Sequence, residues 1–225
     1  MKKRPQLLVF DVNETLLDLQ PLKKRINSLL DSPKAFEDWF SKLIQFAMVE
    51  TLTGNYTDFG DIGTATLRMT AEKHSKLISE EDIKSSLDII KKLKPHPEVK
   101  EALKKLKSEG FRLVVLTNGG LKTLEEQMKY SGLDSIFDAL YSVELVEKFK
   151  PHPDTYQFVL KHEQTEAKNA MLIAAHAWDI AGAQNSGLQT AFISRPGKFL
   201  YPINKEPDFI CNDFEELFQK LTHWN

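Results

Sequence analysis

The sequence contains little cysteine, no long apolar run and almost no net charge. Cys211 is the only cysteine among 225 residues, so no disulfide can form within the chain, and we expect a soluble protein of the reducing cytoplasm. The apolar run after the basic start ends at Asp11, too short for a signal sequence, and nothing approaches the roughly 18 apolar residues of a membrane-spanning helix. Lysine and arginine number 30 against 32 acidic residues. This balance argues against nucleic acid or a membrane as a partner.

Hydrophobic residues make up 41% of the chain, enough for a substantial core. Short apolar segments predict strands buried on both faces of a parallel sheet, at Gln6–Phe10, Phe111–Asn118, Asp138–Val143, Ala170–Ala175 and Thr190–Ser194. Helical patterns lie between them, at Pro97–Ser108, Leu121–Ser131, Asp154–His162 and Ala181–Asn185. This alternation predicts an α/β fold with a doubly wound, Rossmann-like parallel sheet. Its active site would lie at the carboxyl ends of the strands.

Residues 17–93 interrupt the alternation with helical patterns alone. These patterns cover Leu19–Leu30, Ala35–Thr51, Gly60–His74 and Glu80–Lys92. Ser79 and Asp82 have the spacing of a capping box at the start of the last one. We therefore predict a catalytic core of residues 1–16 and 94–225, and an inserted helical cap domain of residues 17–93 over the strand ends.

Polar clusters follow four of the predicted strands and should converge on one crevice. They begin at Asp11, Thr117, Lys148 and His176. A carboxylate at a strand end can attack an electrophile while the amides of the following turn, at Val12 and beyond, bind an anionic group of the substrate. Taken alone, Asp11 is equally well explained as the cap of the next helix.

Taken together, the clusters resemble the haloacid dehalogenase superfamily over essentially the full chain. The shared pattern is a nucleophilic Asp, then a Thr or Ser, a Lys and a further acid, with a helical cap inserted after the first motif. Phosphatases of the superfamily carry a second Asp two places after the nucleophile, where this chain has Asn13, and an acid pair for Mg²⁺. Here the first acid of that pair falls in Ala174-Ala175 and only Asp179 remains. The resemblance thus implies no metal and no cofactor, which a halide leaving group permits.

Four segments resemble the type II (L-)2-haloacid dehalogenases specifically: LTNGG, FKPHPDTY, AAHAWDIAGA and the segment from Asp38 to Phe59. The resemblance implies that Asp11 displaces halide from a short 2-haloacid, and that water then hydrolyses the resulting ester to a 2-hydroxy acid. It also leads us to expect a homodimer. The catalytic group would comprise Asp11, Glu14, Thr15, Lys150, His176 and Asp179, with Lys150 keeping Asp11 ionised and Asp179 holding Lys150. Substrate binding would fall to Val12, Asn13, Trp39, Phe40, Thr117, Asn118, Tyr156 and Trp178.

The chain departs from many relatives at two places. Phe40 stands where many carry a halide-binding Arg, so that Asn118 and aromatic ring edges would have to hold the halide. His176 and Glu14 stand where many carry Asn and Gly. They resemble a pair that one branch uses to activate the hydrolytic water, with His176 as a neutral base and Glu14 as its orienting partner. Alternatively, they are a loop histidine and a first-turn acid favoured by the helix dipole.

Two other functions remain open from the sequence. One is a phosphatase of the same superfamily acting on an unusual substrate. The other is a catalytically lapsed fold that binds a small acid or a partner protein. Halide release from a 2-haloacid separates dehalogenation from both.

Overall fold

One parallel sheet lies at the centre of the molecule, for which the computed structural model describes residues 3–224. Its strands are β1 Leu7–Phe10, β2 Arg112–Thr117, β3 Ala139–Ser142, β4 Ala170–Ala174, β5 Gln189–Ile193 and β6 Phe209–Cys211. The strand order is β3-β2-β1-β4-β5-β6, and every neighbouring pair is parallel. Strands β1, β4 and β5 are buried along their whole length, in keeping with their continuous apolar sequences. The predicted doubly wound α/β core is confirmed.

Helices fill the connections between the strands. Between β1 and β2 lie α1 Gln20–Leu29, α2 Ala35–Thr53, α3 Phe59–Lys73, α4 Glu80–Leu87 and α5 Val99–Ser108. The remaining helices are α6 Leu121–Ser131, α7 Pro153–His162, α8 Ala177–Asn185 and α9 Phe214–Thr222. Within residues 3–224, no helix has the length and apolar character needed to cross a membrane.

The inserted helices pack over the carboxyl ends of the strands. Helix α2 reaches the core through Thr51, whose hydroxyl accepts a hydrogen bond from Phe149 N at 2.9 Å. The ring of Phe40, also on α2, stacks on His176 with centroids 5.7 Å apart. The predicted capping box is present, because Ser79 and Asp82 exchange side-chain to backbone hydrogen bonds.

The chain passes between the inserted helices and the sheet twice, at adjacent positions. Asp18 N donates to Lys94 O at 2.9 Å, and Leu17 forms an isolated antiparallel bridge with Pro95. We propose that the cap and the core divide at this pair of connections, which agrees with the boundaries expected from the sequence.

Four elements differ from the predictions. Helix α8 begins at Ala177 and not at the predicted Ala181, since Ile180 N already donates to His176 O at 3.1 Å. The helix expected over Glu80–Lys92 ends at Leu87 and continues as a 3-10 helix over Asp88–Lys92, a common way for a helix to tighten at its end. Strand β6 and helix α9 were not predicted. Strand β6 has only three residues, and its middle residue Ile210 is exposed, so it lacks the apolar run that marks the buried strands.

Candidate active site

Asp11 follows β1 and is held by three side chains. Its Oδ1 accepts a hydrogen bond from Lys150 Nζ at 2.9 Å. Its Oδ2 accepts from Thr15 Oγ1 at 2.7 Å and lies 3.1 Å from His176 Nδ1. Burial opposes ionisation of Asp11, but the charge of Lys150 and the contact with His176 outweigh it and hold the pKa of this carboxyl well below its usual range. The carboxylate is therefore ionised and oriented, as a nucleophile must be.

Lys150 is fixed by three acceptors. Besides Asp11, its ammonium group donates to Asp179 Oδ2 at 2.6 Å and to Leu116 O at 3.0 Å. An ammonium group has three protons, so each has a partner. Burial lowers the pKa of Lys150, but the charges of Asp11 and Asp179 reverse that effect and raise it. Tyr156 supports the arrangement from behind, because its hydroxyl donates to Asp179 Oδ1 at 2.6 Å.

Thr15 and Asn118 connect the ends of neighbouring strands. Thr15 Oγ1 accepts from Ala175 N at 2.9 Å while it donates to Asp11. Asn118 Oδ1 accepts from Lys150 N at 2.8 Å. Asn118 Nδ2 is buried and has no hydrogen-bond partner within residues 3–224. A buried donor without an acceptor is costly, so this amide suits an anionic ligand.

Glu14 and His176 form the predicted pair. His176 Nε2 lies 2.8 Å from Glu14 Oε2, while Nδ1 faces Asp11. His176 is 5% exposed. Its burial lowers the pKa of the imidazole, but hydrogen bonds to Asp11 and Glu14 reverse this effect and raise it to about 9. His176 is thus an imidazolium near neutral pH in this state, which differs from the neutral base expected from the sequence because both ring nitrogens face carboxylates.

Two aromatic rings stack on His176. Phe40 stacks on one side, and Trp178 stacks with its centroid 5.1 Å away. A cavity of about 470 Å³ extends from this region between the inserted helices and α6. Its lining includes Asn13, Trp39, Phe40, Phe59 and Gly119 together with aliphatic side chains of the inserted helices. This cavity shares Asn13 and Phe40 with the surroundings of the polar cluster, but Asp11, Lys150 and His176 are not part of its lining.

Several residues predicted to bind substrate have other contacts. Trp39 Nε1 donates to Gly63 O at 2.9 Å, which ties α2 to α3. Asn13 Oδ1 accepts from Gln127 Nε2 at 3.0 Å, and Thr117 Oγ1 accepts from Gly119 N at 3.2 Å. Val12 is fully buried. Direct contact between these residues and a substrate stays a prediction.

Sequence reasoning missed three residues beside the pair. Lys198 donates a hydrogen bond to Glu14 Oε2. Arg195 Nη2 donates to Thr15 O at 3.0 Å, and His96 Nε2 lies 3.1 Å from Glu14 O. The sequence Arg195-Pro-Gly-Lys198 signals a turn, but nothing in it shows that this turn meets the loop after β1.

The site does not fit the Mg²⁺ arrangement of the superfamily phosphatases. The ion prefers several carboxylate oxygens, whereas Asn13 and Ala174-Ala175 occupy positions where those enzymes carry acids. Asp11 Oδ1 and Asp179 Oδ2 both accept hydrogen bonds from Lys150 Nζ. Within residues 3–224, no three His, Cys, Asp or Glu side chains are grouped to hold a metal ion.

The fold and the site together define a protein of the doubly wound α/β class with an aspartate at a strand end and an inserted helical region. The chain belongs to the haloacid dehalogenase-like hydrolase family, which it matches over residues 8–193. It is 27% identical to haloacetate dehalogenase H-2 of a Moraxella species, over 92% of this chain and 93% of that protein. It is 29% identical to (S)-2-haloacid dehalogenase 4A of Burkholderia cepacia, over 84% and 83% of the two chains.

A solved structure agrees with the fold. The L-2-haloacid dehalogenase of Xanthobacter autotrophicus superposes with a TM-score of 0.91 at 21% identity, covering 98% of this chain and all of that one. At this identity the agreement concerns the fold, and the inserted helical region is part of it.

Proposed function

We propose that the protein hydrolyses the carbon–halogen bond of short (L-)2-haloalkanoic acids and releases 2-hydroxy acids. The observation that carries the proposal is an ionised Asp11 in direct contact with Lys150 and with the His176/Glu14 pair. The relatives named as haloacetate and (S)-2-haloacid dehalogenases support the substrate class. The reaction needs no cofactor beyond the substrate and water.

In the first step, Asp11 attacks the carbon that carries the halogen. A carboxylate oxygen forms a carbon–oxygen bond, and the halogen leaves with its bonding electrons as halide. Asp11 becomes an ester of the substrate's carbon. The unpaired Asn118 amide is the donor best placed for an anionic group of the ligand. Halide is a weak base, so it leaves without a proton.

In the second step, water attacks the acyl carbon of that ester. Esterification removes the negative charge of Asp11, one of the two carboxylates that keep His176 protonated. The pKa of His176 should then fall, so that Nδ1 releases its proton to solvent and can accept a proton from the attacking water. As the bond between the acyl carbon and the product oxygen breaks, Nδ1 gives that proton to the leaving alkoxide. The proton of the regenerated Asp11 carboxyl group then returns to Nδ1. Glu14 holds the imidazole ring of His176 in position and stabilises the imidazolium that forms. The products are the 2-hydroxy acid and a restored Asp11.

Halide release from both enantiomers of 2-chloropropionate tests the activity. We expect release from one enantiomer, loss of turnover in Asp11→Asn, and unchanged turnover in the control Asp134→Asn, whose side chain is exposed. An Asp11→Asn variant that retained wild-type release would exclude the covalent mechanism. No release from any 2-haloacid by the wild-type protein would exclude the proposed function.

Two measurements test the intermediate. In His176→Asn, the first step needs only Asp11 and a positioned substrate, so we expect one burst of halide and an adduct on the Asp11 peptide by mass spectrometry. Glu14→Gln should show a milder form. In a single turnover in H₂¹⁸O, the wild-type protein should place the label in Asp11 and not in the product. Full steady-state turnover in His176→Asn would exclude its role as base.

A further inference from the structure

Lys198 is brought to the site by a tight turn. The turn comprises Arg195, Pro196, Gly197 and Lys198, with Lys198 N donating to Arg195 O at 3.0 Å. Gly197 has a φ of 79°, which suits the third position of a type II turn, and Pro196 suits the second. Its first residue is anchored, because Arg195 is 8% exposed and donates to Thr15 O. The turn is therefore fixed to the loop that carries Asp11 and Glu14.

The Lys198 ammonium group lies between Glu14 and the cap. It donates to Glu14 Oε2, and its Nζ is 5.4 Å from the centroid of the Phe40 ring. The same Glu14 oxygen lies 2.8 Å from His176 Nε2. The Lys198 and Glu14 side chains are 21% and 15% exposed, so water screens their contact only in part. One carboxylate oxygen is thus shared by two cationic groups.

These contacts complete a row of alternating charges. The order along the row is Asp179, Lys150, Asp11, His176, Glu14 and Lys198. Lys150 lies between the carboxylates of Asp179 and Asp11, and Lys198 ends the row beside Glu14. Without Lys198, the full charge of Glu14 would act on His176 alone.

We propose that Lys198 is a positioning residue that holds the Glu14 carboxylate and limits how strongly Glu14 retains the proton of His176. The effect of Lys198 on turnover rests on the proposed function, because this effect concerns the step in which water attacks the ester. A base that never releases its proton cannot accept one from water. Lys198 therefore favours the neutral form of His176 once Asp11 is esterified.

Other charges near His176 do not duplicate this contact. Asp11 and Glu14 face its ring nitrogens, and Lys150 lies behind Asp11. Phe40 and Trp178 stack on it with uncharged rings. Beside the loop after β1, the charged groups are Arg195 and its partner Glu98. The titratable His96 contacts the backbone carbonyl of Glu14. Within residues 3–224, the cationic groups that contact the Glu14 carboxylate are those of His176 and Lys198.

A titration of His176 by NMR tests the proposal without any substrate. Removing a neighbouring positive charge should stabilise the imidazolium, so Lys198→Met should raise the pKa of His176 by roughly half a pH unit or more. Lys198→Arg keeps the positive charge, so His176 should retain its wild-type pKa in that variant. Lys205→Met, on the same segment after β5, is the matched control and should leave it unchanged. Spectra of His176→Asn assign the signal.

An unchanged titration in a folded Lys198→Met protein would overturn the proposal, whatever the protein's activity. Lys198→Gln, which keeps a hydrogen-bond donor without the charge, serves as a second variant and should also raise the pKa. If Lys198→Gln titrates like the wild type, the charge of Lys198 does not act on His176 and the proposal is likewise wrong.

Pre-steady-state kinetics give a second readout if the wild-type protein releases halide. In Lys198→Met the halide burst should keep its rate, while ester hydrolysis at neutral pH slows roughly threefold or more and its acid limb moves to higher pH. A raised KM and a slower burst with an unmoved acid limb would instead assign Lys198 to substrate binding and overturn the proposal. Absence of halide release by the wild type would exclude the proposed function but leave the NMR test intact.

Discussion

Glu14 combines a buried carboxylate with a backbone conformation that favours glycine. Its φ is 63°, in the left-handed region, which costs a non-glycine residue about 1–2 kcal/mol. Its side chain compensates through contacts with His176 and Lys198. The acid is thus retained against a local energetic cost, as expected of a residue kept for its chemistry.

Two substitutions of Glu14 separate its backbone from its side chain. Both Glu14→Gly and Glu14→Ala remove the carboxylate, so both should slow ester hydrolysis. Only Gly relieves the left-handed conformation, so Glu14→Gly should be more stable than Glu14→Ala by about 1 kcal/mol. Urea unfolding of the two variants measures the difference. Equal stability would show that the positive φ imposes no cost here.

His176 should make the stability of the protein depend on alkaline pH. Its pKa is raised from 6.5 to about 9 in the folded state, so its contribution is complete below pH 6.5 and is lost as the pH rises towards 9. We expect the wild-type protein to lose roughly 2–3 kcal/mol of unfolding free energy across this window. Urea unfolding at several pH values, compared with His176→Asn, isolates this contribution. Parallel pH profiles for the two proteins would contradict the raised pKa.

The sequence allowed most of the polar cluster to be predicted, but not all its contacts. Asp11, Lys150 and His176 follow β1, β3 and β4, and parallel strands bring their carboxyl ends to one edge. Lys198 follows β5, yet it reaches Glu14 only through a turn anchored by Arg195. That anchoring is a long-range contact that no local pattern encodes. The raised pKa of His176 likewise depends on the distances to two carboxylates.

At the scale of elements, the strands and helices with clear apolar patterns were the ones that could be predicted from the sequence. Four of the five predicted strands have the continuous apolar runs that a sheet covered on both faces needs. Strand β3 differs in its burial from the prediction, because it lies at the edge of the sheet and is only partly buried. Strand β6 was not predicted because it is short and partly exposed at the sheet edge. Helix α9 has a capping signal, since Asp213 Oδ1 accepts from Glu216 N at 2.8 Å. That signal in the sequence could have revealed the helix.

The capping box of α4 gives a test at the scale of an element. Ser79 Oγ accepts from Asp82 N at 3.0 Å, which satisfies one of the free amides at the start of the helix. Ser79→Ala should destabilise the protein by about 1 kcal/mol and lower its Tm. Ser108→Ala is the control, because Ser108 lies at the end of α5 and its hydroxyl bonds a carbonyl. Equal Tm values for both variants would show that the cap contributes nothing.

At the scale of the whole molecule, the cap and the core share one site. Phe40 of α2 stacks on His176, while Lys150 and Asp11 belong to the sheet side. With Asp11 only 6% exposed, its carboxylate is shielded from bulk water between the inserted helices and the sheet. A homodimer remains an expectation from the family resemblance, and sedimentation at micromolar concentration tests it.

The halide-releasing activity of the whole protein should survive exhaustive chelation. Mg²⁺ would need several carboxylate oxygens, but Lys150 already binds one oxygen of Asp11 and one of Asp179, and Asn13 offers an amide in place of a second acid. Halide leaves as a weak base, so no Lewis acid is required.

Halide release after treatment with EDTA should therefore equal that of untreated protein, and added Mg²⁺ should not increase it. A Mg²⁺-dependent phosphatase of the same superfamily, treated in parallel, should lose its activity. Loss of halide release in EDTA that Mg²⁺ restores would mean that these carboxylates bind the ion despite Lys150, and would favour the phosphatase-like alternative.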